Sequence, residues 1–119
     1  MTNQEILDQL KKICESDQFT RSGVNVALLT LLVEASLEGK KLKEATIGGE
    51  IFGRSYDPIK NDNKVRVYIH NLRKKLADYY QRAANADEIV FQIEKGQYQV
   101  SFHRPQKQRV NWSGKKVLR

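Results

Sequence analysis

The sequence predicts an α+β domain in which a helical core is closed by a C-terminal β-hairpin. Three observations carry this. Apolar residues recur at spacings of three and four through much of residues 4–83. Two runs of period two flank a Glu94-Lys95-Gly96-Gln97 turn. A chain of 119 residues, 39% apolar and 29% charged, has room for one core and little more.

Residues 4–15 place Ile6, Leu7, Leu10, Ile13 and Cys14 on one helical face, which either completes the core or forms a dimer seam. Asp17, Gln18 and Phe19 read as a connection. Ser22 is suited to cap the next helix by accepting from a free N–H of its first turn. That helix runs to about Glu38, with Val24, Ala27, Leu28, Leu31, Leu32 and Ala35 as its stripe, and Gly39 ends it. A short helix follows over about residues 43–52, with Ala45, Ile47, Ile51 and Phe52 as its apolar members. Gly48 and Gly49 each lower helix propensity by about 1 kcal/mol, which makes sense if another helix approaches closely. Gly53 ends this element, and residues 55–63 are rich in turn formers, including Asp57-Pro58.

A long helix is expected over residues 63–83, with a core stripe of Val65, Ile69, Leu72, Leu76 and Tyr79. The hairpin, residues 89–102, alternates Ile89, Phe91 and Ile93 on one strand and Tyr98, Val100 and Phe102 on the other. The domain spans residues 1–102, and residues 103–119 form a basic tail.

Several classes fall away. The longest apolar stretch, Val24 to Val33, contains Asn25 and Thr30 and is too short to span a bilayer. The polar residues after Met1 do not form a secretory segment. The single cysteine, Cys14, allows no intrachain disulfide framework. The expected location is the cytoplasm, in association with the nucleoid.

Charge is distributed unevenly. Lys plus Arg is 21 and Asp plus Glu is 14, a formal net charge of +7. The tail holds six cations (Arg104, Lys107, Arg109, Lys115, Lys116 and Arg119) and no acid. It reads either as a solvated terminus or as a basic arm along phosphates. Between Lys64 and Arg82 there are six cations against one acid, Asp78, a net of +5.

The long helix explains that second concentration. With its core stripe turned inward, Asn63, Val67, His70, Asn71 and Lys74 face outward. Arg66 and Arg73 line one edge, and Lys64, Tyr68 and Lys75 the other. Short polar groups on the centre line can reach base edges, while cations on the edges meet phosphates. A helix, a short helix, a turn, a basic helix and a hairpin follow the order of a winged helix-turn-helix, and Lys95 stands at the wing tip.

Linked motifs support this layout. Leu42-Lys43-Glu44-Ala45-Thr46-Ile47-Gly48-Gly49-Glu50-Ile51-Phe52-Gly53-Arg54 resembles the signature LKxxTIAxEVFGR. Tyr56-Asp57-Pro58 with Lys64-Val65-Arg66-Val67, then Leu72-Arg73-Lys74-Lys75-Leu76-Ala77-Asp78-Tyr79-Tyr80, and Lys95-Gly96-Gln97-Tyr98 continue the likeness. Over roughly residues 6–102 the chain is similar to bacterial winged helix-turn-helix DNA-binding domains. These are the N-terminal domains of TolB-like, tetratricopeptide- and cyclase-linked regulators, and they are related in form to OmpR/PhoB-type effector domains. The resemblance implies a recognition helix around Val67–Leu76, with Arg66, His70, Asn71, Arg73 and Lys74 as leading DNA contacts. Two places depart from the pattern. Val24-Asn25-Val26-Ala27 replaces an Arg-Leu-rich start, and His70-Asn71 replaces an arginine-rich centre.

No catalytic, cofactor or metal site is expected. His70 lacks an evident partner in the sequence, Cys14 belongs to an apolar face, and Gly48-Gly49 lacks the lysine and hydroxyl of a phosphate loop. Tyr79-Tyr80 reads as helix-end packing, and Asp57 with Asp62 as turn caps. The expected function is sequence-specific binding of double-stranded DNA in transcription regulation. The site residues are Lys64, Arg66, Val67, Tyr68, His70, Asn71, Arg73, Lys74, Lys75 and Lys95. An architectural or recombination accessory protein, and a protein-interaction module on the same scaffold, are the alternatives. Partners beyond DNA are a second copy of the chain, or RNA polymerase or another regulator; no membrane is expected.

Overall fold

The computed structural model describes residues 1–61, 63–83 and 89–105. Helix α1 (Asn3–Cys14) opens with a reciprocal capping box. The Glu5 amide donates to Thr2 Oγ1 at 3.1 Å, and the Thr2 amide donates to Glu5 Oε1 at 2.8 Å. Ile6, Leu10 and Ile13 are buried as expected, whereas Leu7 is exposed and Cys14 half-buried. Gln9 is buried instead, with its Nε2 donating to Tyr80 Oη at 3.5 Å.

The expected connection at Asp17 is a single helical turn, α2 (Asp17–Thr20), which buries Phe19 fully. Helix α3 (Gly23–Leu37) is central. It buries Leu29 and Val33 as well as Leu28, Leu32 and Ala35, while Val24 and Ala27 at its start are exposed. A helix surrounded by neighbours loses its one-faced pattern, so a stripe of three and four undercounts its core. Ser22 does not cap α3 with its side chain; its Oγ accepts from Asn25 Nδ2 at 2.6 Å. The other end follows the expected glycine stop. Gly39 takes φ +71°, its amide donates to the Ser36 carbonyl, and the Lys40 amide donates to the Ala35 carbonyl at 2.8 Å. That pair of bonds is a Schellman closure.

Helix α4 (Glu44–Phe52) runs into a 3-10 turn, Gly53–Ser55. The close approach expected at the glycine pair exists at Gly48 alone, and it is made by the ring of Tyr56 rather than by a helix. A Cβ on Gly49 would meet nothing within 4 Å. Asp57 caps its own turn, accepting from the Ile59 amide at 2.9 Å. Asp62 lies outside the described residues.

Helix α5 (Lys64–Ala83) buries Val65, Ile69, Leu72, Leu76 and Tyr79, the stripe read from the sequence. Strands β1 (Val90–Ile93) and β2 (Val100–His103) pair antiparallel, with Phe91 opposite Phe102 and Ile93 opposite Val100. Gly96 takes φ +80° in the loop between them, and the Gln97 amide donates to the Glu94 carbonyl. The described residues thus form an α+β domain of five α-helices and one two-stranded antiparallel sheet. The chain beyond Pro105, which includes most of the basic tail, lies outside them.

Candidate nucleic-acid interface

Burial of one α5 stripe determines what its other side presents. Val67, His70, Asn71 and Lys74 are all exposed, Val67 to 51%, and Asn63 is exposed just before the helix. These are the centre-line residues expected from the sequence.

The two edges differ in how the domain holds them. On one edge, Lys64 Nζ lies 4.3 Å from the centre of the Phe52 ring, and the Tyr68 ring meets the same phenyl edge-on at 5.1 Å. Lys75, half-buried, donates from Nζ to the Gln18 carbonyl at 2.7 Å and sits 5.6 Å from the Phe19 ring centre. Lys64 and Lys75 therefore pack against the domain as well as carrying charge, and Tyr68 packs beside them.

The other edge is open. Arg66, Ile69, His70 and Arg73 face the hairpin loop Lys95–Tyr98 across a groove of about 440 Å³. Arg73 Nη2 stands 3.1 Å from His70 Nδ1. Lys95 is exposed at the loop and brings a third basic side chain to the groove beside Arg66 and Arg73. The structure thus brings Arg66, His70, Arg73 and Lys95 together. Lys64 and Tyr68 are held against Phe52, and Lys75 against α2.

Tyr98 of this groove and Glu44, bonded to it and to Arg66, were not singled out from the sequence. Glu44, in the first turn of α4, accepts at Oε1 from the Tyr98 hydroxyl at 3.1 Å and from Arg66 Nε at 3.4 Å. Burial raises the Tyr98 pKa, and hydrogen bonding to the Glu44 carboxylate raises it further, so the phenol stays a donor. Pairs separated by 22 and 54 residues leave no periodic signal, although an acid at a helix start is itself a recognisable feature.

On the other side of the hairpin lies a second groove of about 330 Å³, which includes Lys40, Lys41 and Glu94. Lys40 pairs with Glu38 at 3.2 Å on the surface. Burial pushes the Cys14 thiol up from its ordinary pKa. Among the described residues no group of three His, Cys, Asp or Glu side chains could hold a metal ion, and no helix is long and apolar enough to cross a membrane.

The fold and this surface define a small α+β domain with a cationic groove between its longest helix and its hairpin. Comparison with family models, curated proteins and solved structures finds no match.

Proposed function

We propose that this chain is a winged helix-turn-helix domain that binds double-stranded DNA sequence-specifically and regulates transcription. In this reading α4 and α5 form the helix-turn-helix, α5 enters the major groove, and the β1–β2 hairpin is the wing. The observation that carries it is the exposed face of α5, where Val67, His70, Asn71 and Lys74 run beside a groove edged by Arg66, Arg73 and Lys95. A helix with its side chains is about 10–12 Å across, close to the roughly 12 Å width of the major groove. His70 and Asn71 then reach base edges, Asn71 being suited to adenine, while Arg73, Lys74 and Lys95 meet phosphates.

The test is a salt titration of binding to random-sequence and genomic duplexes, with the retained fragments sequenced. The expected result is a recurrent motif together with a steep fall in affinity as salt rises. Steep but sequence-blind binding would replace this reading with an architectural role. No binding at low salt would overturn DNA recognition altogether.

A further inference from the structure

Arg66 stands in the first turn of α5 and is held from two other elements. Its Nε faces Glu44 Oε1 of α4 at 3.4 Å, and Tyr98 of the hairpin loop donates to that same oxygen at 3.1 Å. The carboxylate is the sheltered member, with 27% of its side chain exposed against 61% for the arginine. The acid is therefore set into the junction of α4, α5 and the hairpin, and the guanidinium extends from it toward solvent.

This arrangement has a directional consequence. A guanidinium presents donors along two edges and across its two-nitrogen end. The carboxylate meets the guanidinium at Nε, on its side edge, and not at the Nη1/Nη2 end. A pair of parallel N–H donors is what O6 and N7 of guanine accept, and it demands a fixed approach. A phosphate accepts the same fork, but its attraction is mainly one of charge, and an acid beside the arginine weakens that attraction. With the arginine exposed and the contact at 3.4 Å, the pair contributes little stability, and the negative charge opposes attraction to a polyanion. What the pair supplies is orientation. The first turn of a groove-inserted helix is also where side chains reach base edges.

We propose that Arg66 reads a guanine in the major groove, with Glu44 and Tyr98 as positioning residues that aim its guanidinium. This rests on the DNA-binding reading above and changes Arg66 from a phosphate anchor to a base reader.

The test compares the wild-type chain with R66K, E44Q and Y98F, each checked for unchanged far-ultraviolet circular dichroism. Each protein is selected on random duplexes, then titrated on the recovered site, its single-base variants and a scrambled duplex at several salt concentrations. The wild-type motif is expected to contain a guanine whose replacement weakens binding roughly 5- to 150-fold. R66K flattens that position alone and keeps the salt slope, because the charge remains while the fork is lost. E44Q flattens the same position yet binds the scrambled duplex as tightly or more tightly. Y98F acts in the same direction, more weakly.

An R66K motif identical to the wild type overturns the assignment and leaves DNA binding intact. So does an E44Q protein that gains equally on cognate and scrambled DNA. A wild-type chain that binds no duplex overturns the DNA reading itself, and this assignment with it. If E44Q does not fold, R66K and Y98F decide the matter.

Discussion

The Ser36 hydroxyl satisfies both backbone groups of Val100. Its Oγ donates to the Val100 carbonyl at 3.0 Å, and the Val100 amide donates back to the same oxygen at 3.3 Å. One side chain of α3 thus does at the outer edge of β2 what a third strand would otherwise do. The Tyr80 hydroxyl plays the matching part on β1, donating to the Ile89 carbonyl at 2.9 Å and accepting from the Phe91 amide at 3.0 Å. A two-stranded hairpin is marginal by itself, and these two hydroxyls join it to the helices.

Ser36→Ala removes that partner from both Val100 groups, beside a side chain that is 4% exposed. The expected loss is about 1–3 kcal/mol in urea denaturation, with the helical circular dichroism signal retained. Ser101→Ala is the control. Its Oγ meets the Gln92 carbonyl at 3.3 Å in an exposed setting, and it should stay within about 0.5 kcal/mol of wild type. Equal midpoints for Ser36→Ala and wild type would mean that the serine does not hold the strand.

Neighbouring glycines in α4 should respond with opposite signs. At Gly49 a methyl group enters open space, so Gly49→Ala is expected to stabilise by about 0.5–1 kcal/mol through helix propensity. At Gly48 the methyl meets the half-buried Tyr56 ring, which stacks against Phe52 with ring centres 6.2 Å apart. Gly48→Ala should therefore destabilise. In a Tyr56→Ala background the obstruction is gone and the same change should become favourable. If the sign at Gly48 does not depend on Tyr56, the ring is not what requires glycine there.

What could be read from the chain follows from where each signal resides. The α5 stripe was legible because one face packs on the core over about four turns, from Val65 to Tyr79. The hairpin was legible because Gly96 and the period-two runs are local. Leu29 and Val33 were missed because α3 is packed on several sides and its burial has no single face. Ser22 was expected to cap α3, but the Asn25 side chain competes for its oxygen and wins. Phe19 looked like loop because a four-residue turn is too short to show a period. At the site, the exposed centre line of α5 followed from the stripe. Glu44 and Tyr98 did not, since only the tertiary fold brings them to Arg66.

Stability should depend on pH through Glu5. The Thr2 amide and the Arg104 guanidinium, 3.0 Å from Oε2, hold the Glu5 carboxyl down at about 2 from an ordinary 4.5. A carboxyl with a depressed folded-state pKa stabilises fully above its unfolded value, and that contribution is lost as pH falls through the folded one. The window is therefore pH 4.5 down to about 2. The group is solvent-exposed, so the effect is modest and weakens further with salt. Thermal midpoints of wild type and Glu5→Gln should differ most above pH 5 and converge toward pH 2. A gap that stays constant across the window would exclude Glu5 as its source.

Adjacent lysines on α5 should separate stability from DNA binding. Lys74 is exposed on the outward face, whereas Lys75 bonds the Gln18 carbonyl at 2.7 Å and lies beside the Phe19 ring. Replacing Lys75 by Gln removes a charge-assisted hydrogen bond and a cation–π contact, so a loss of about 1–2 kcal/mol in folding stability is expected. Replacing Lys74 by Gln should leave stability within about 0.5 kcal/mol of wild type. On duplex DNA the order reverses. If α5 enters the major groove as proposed, Lys74→Gln should reduce the magnitude of the salt slope by about 1, the effect of removing one phosphate contact. Lys75→Gln should change the slope less, because its ammonium is already committed to the end of α2. Denaturation curves and salt titrations on the same two proteins read both effects. A larger slope change for Lys75 than for Lys74 would mean that Lys75 releases Gln18 to meet phosphate, which would move the proposed DNA-binding side of α5 toward α2.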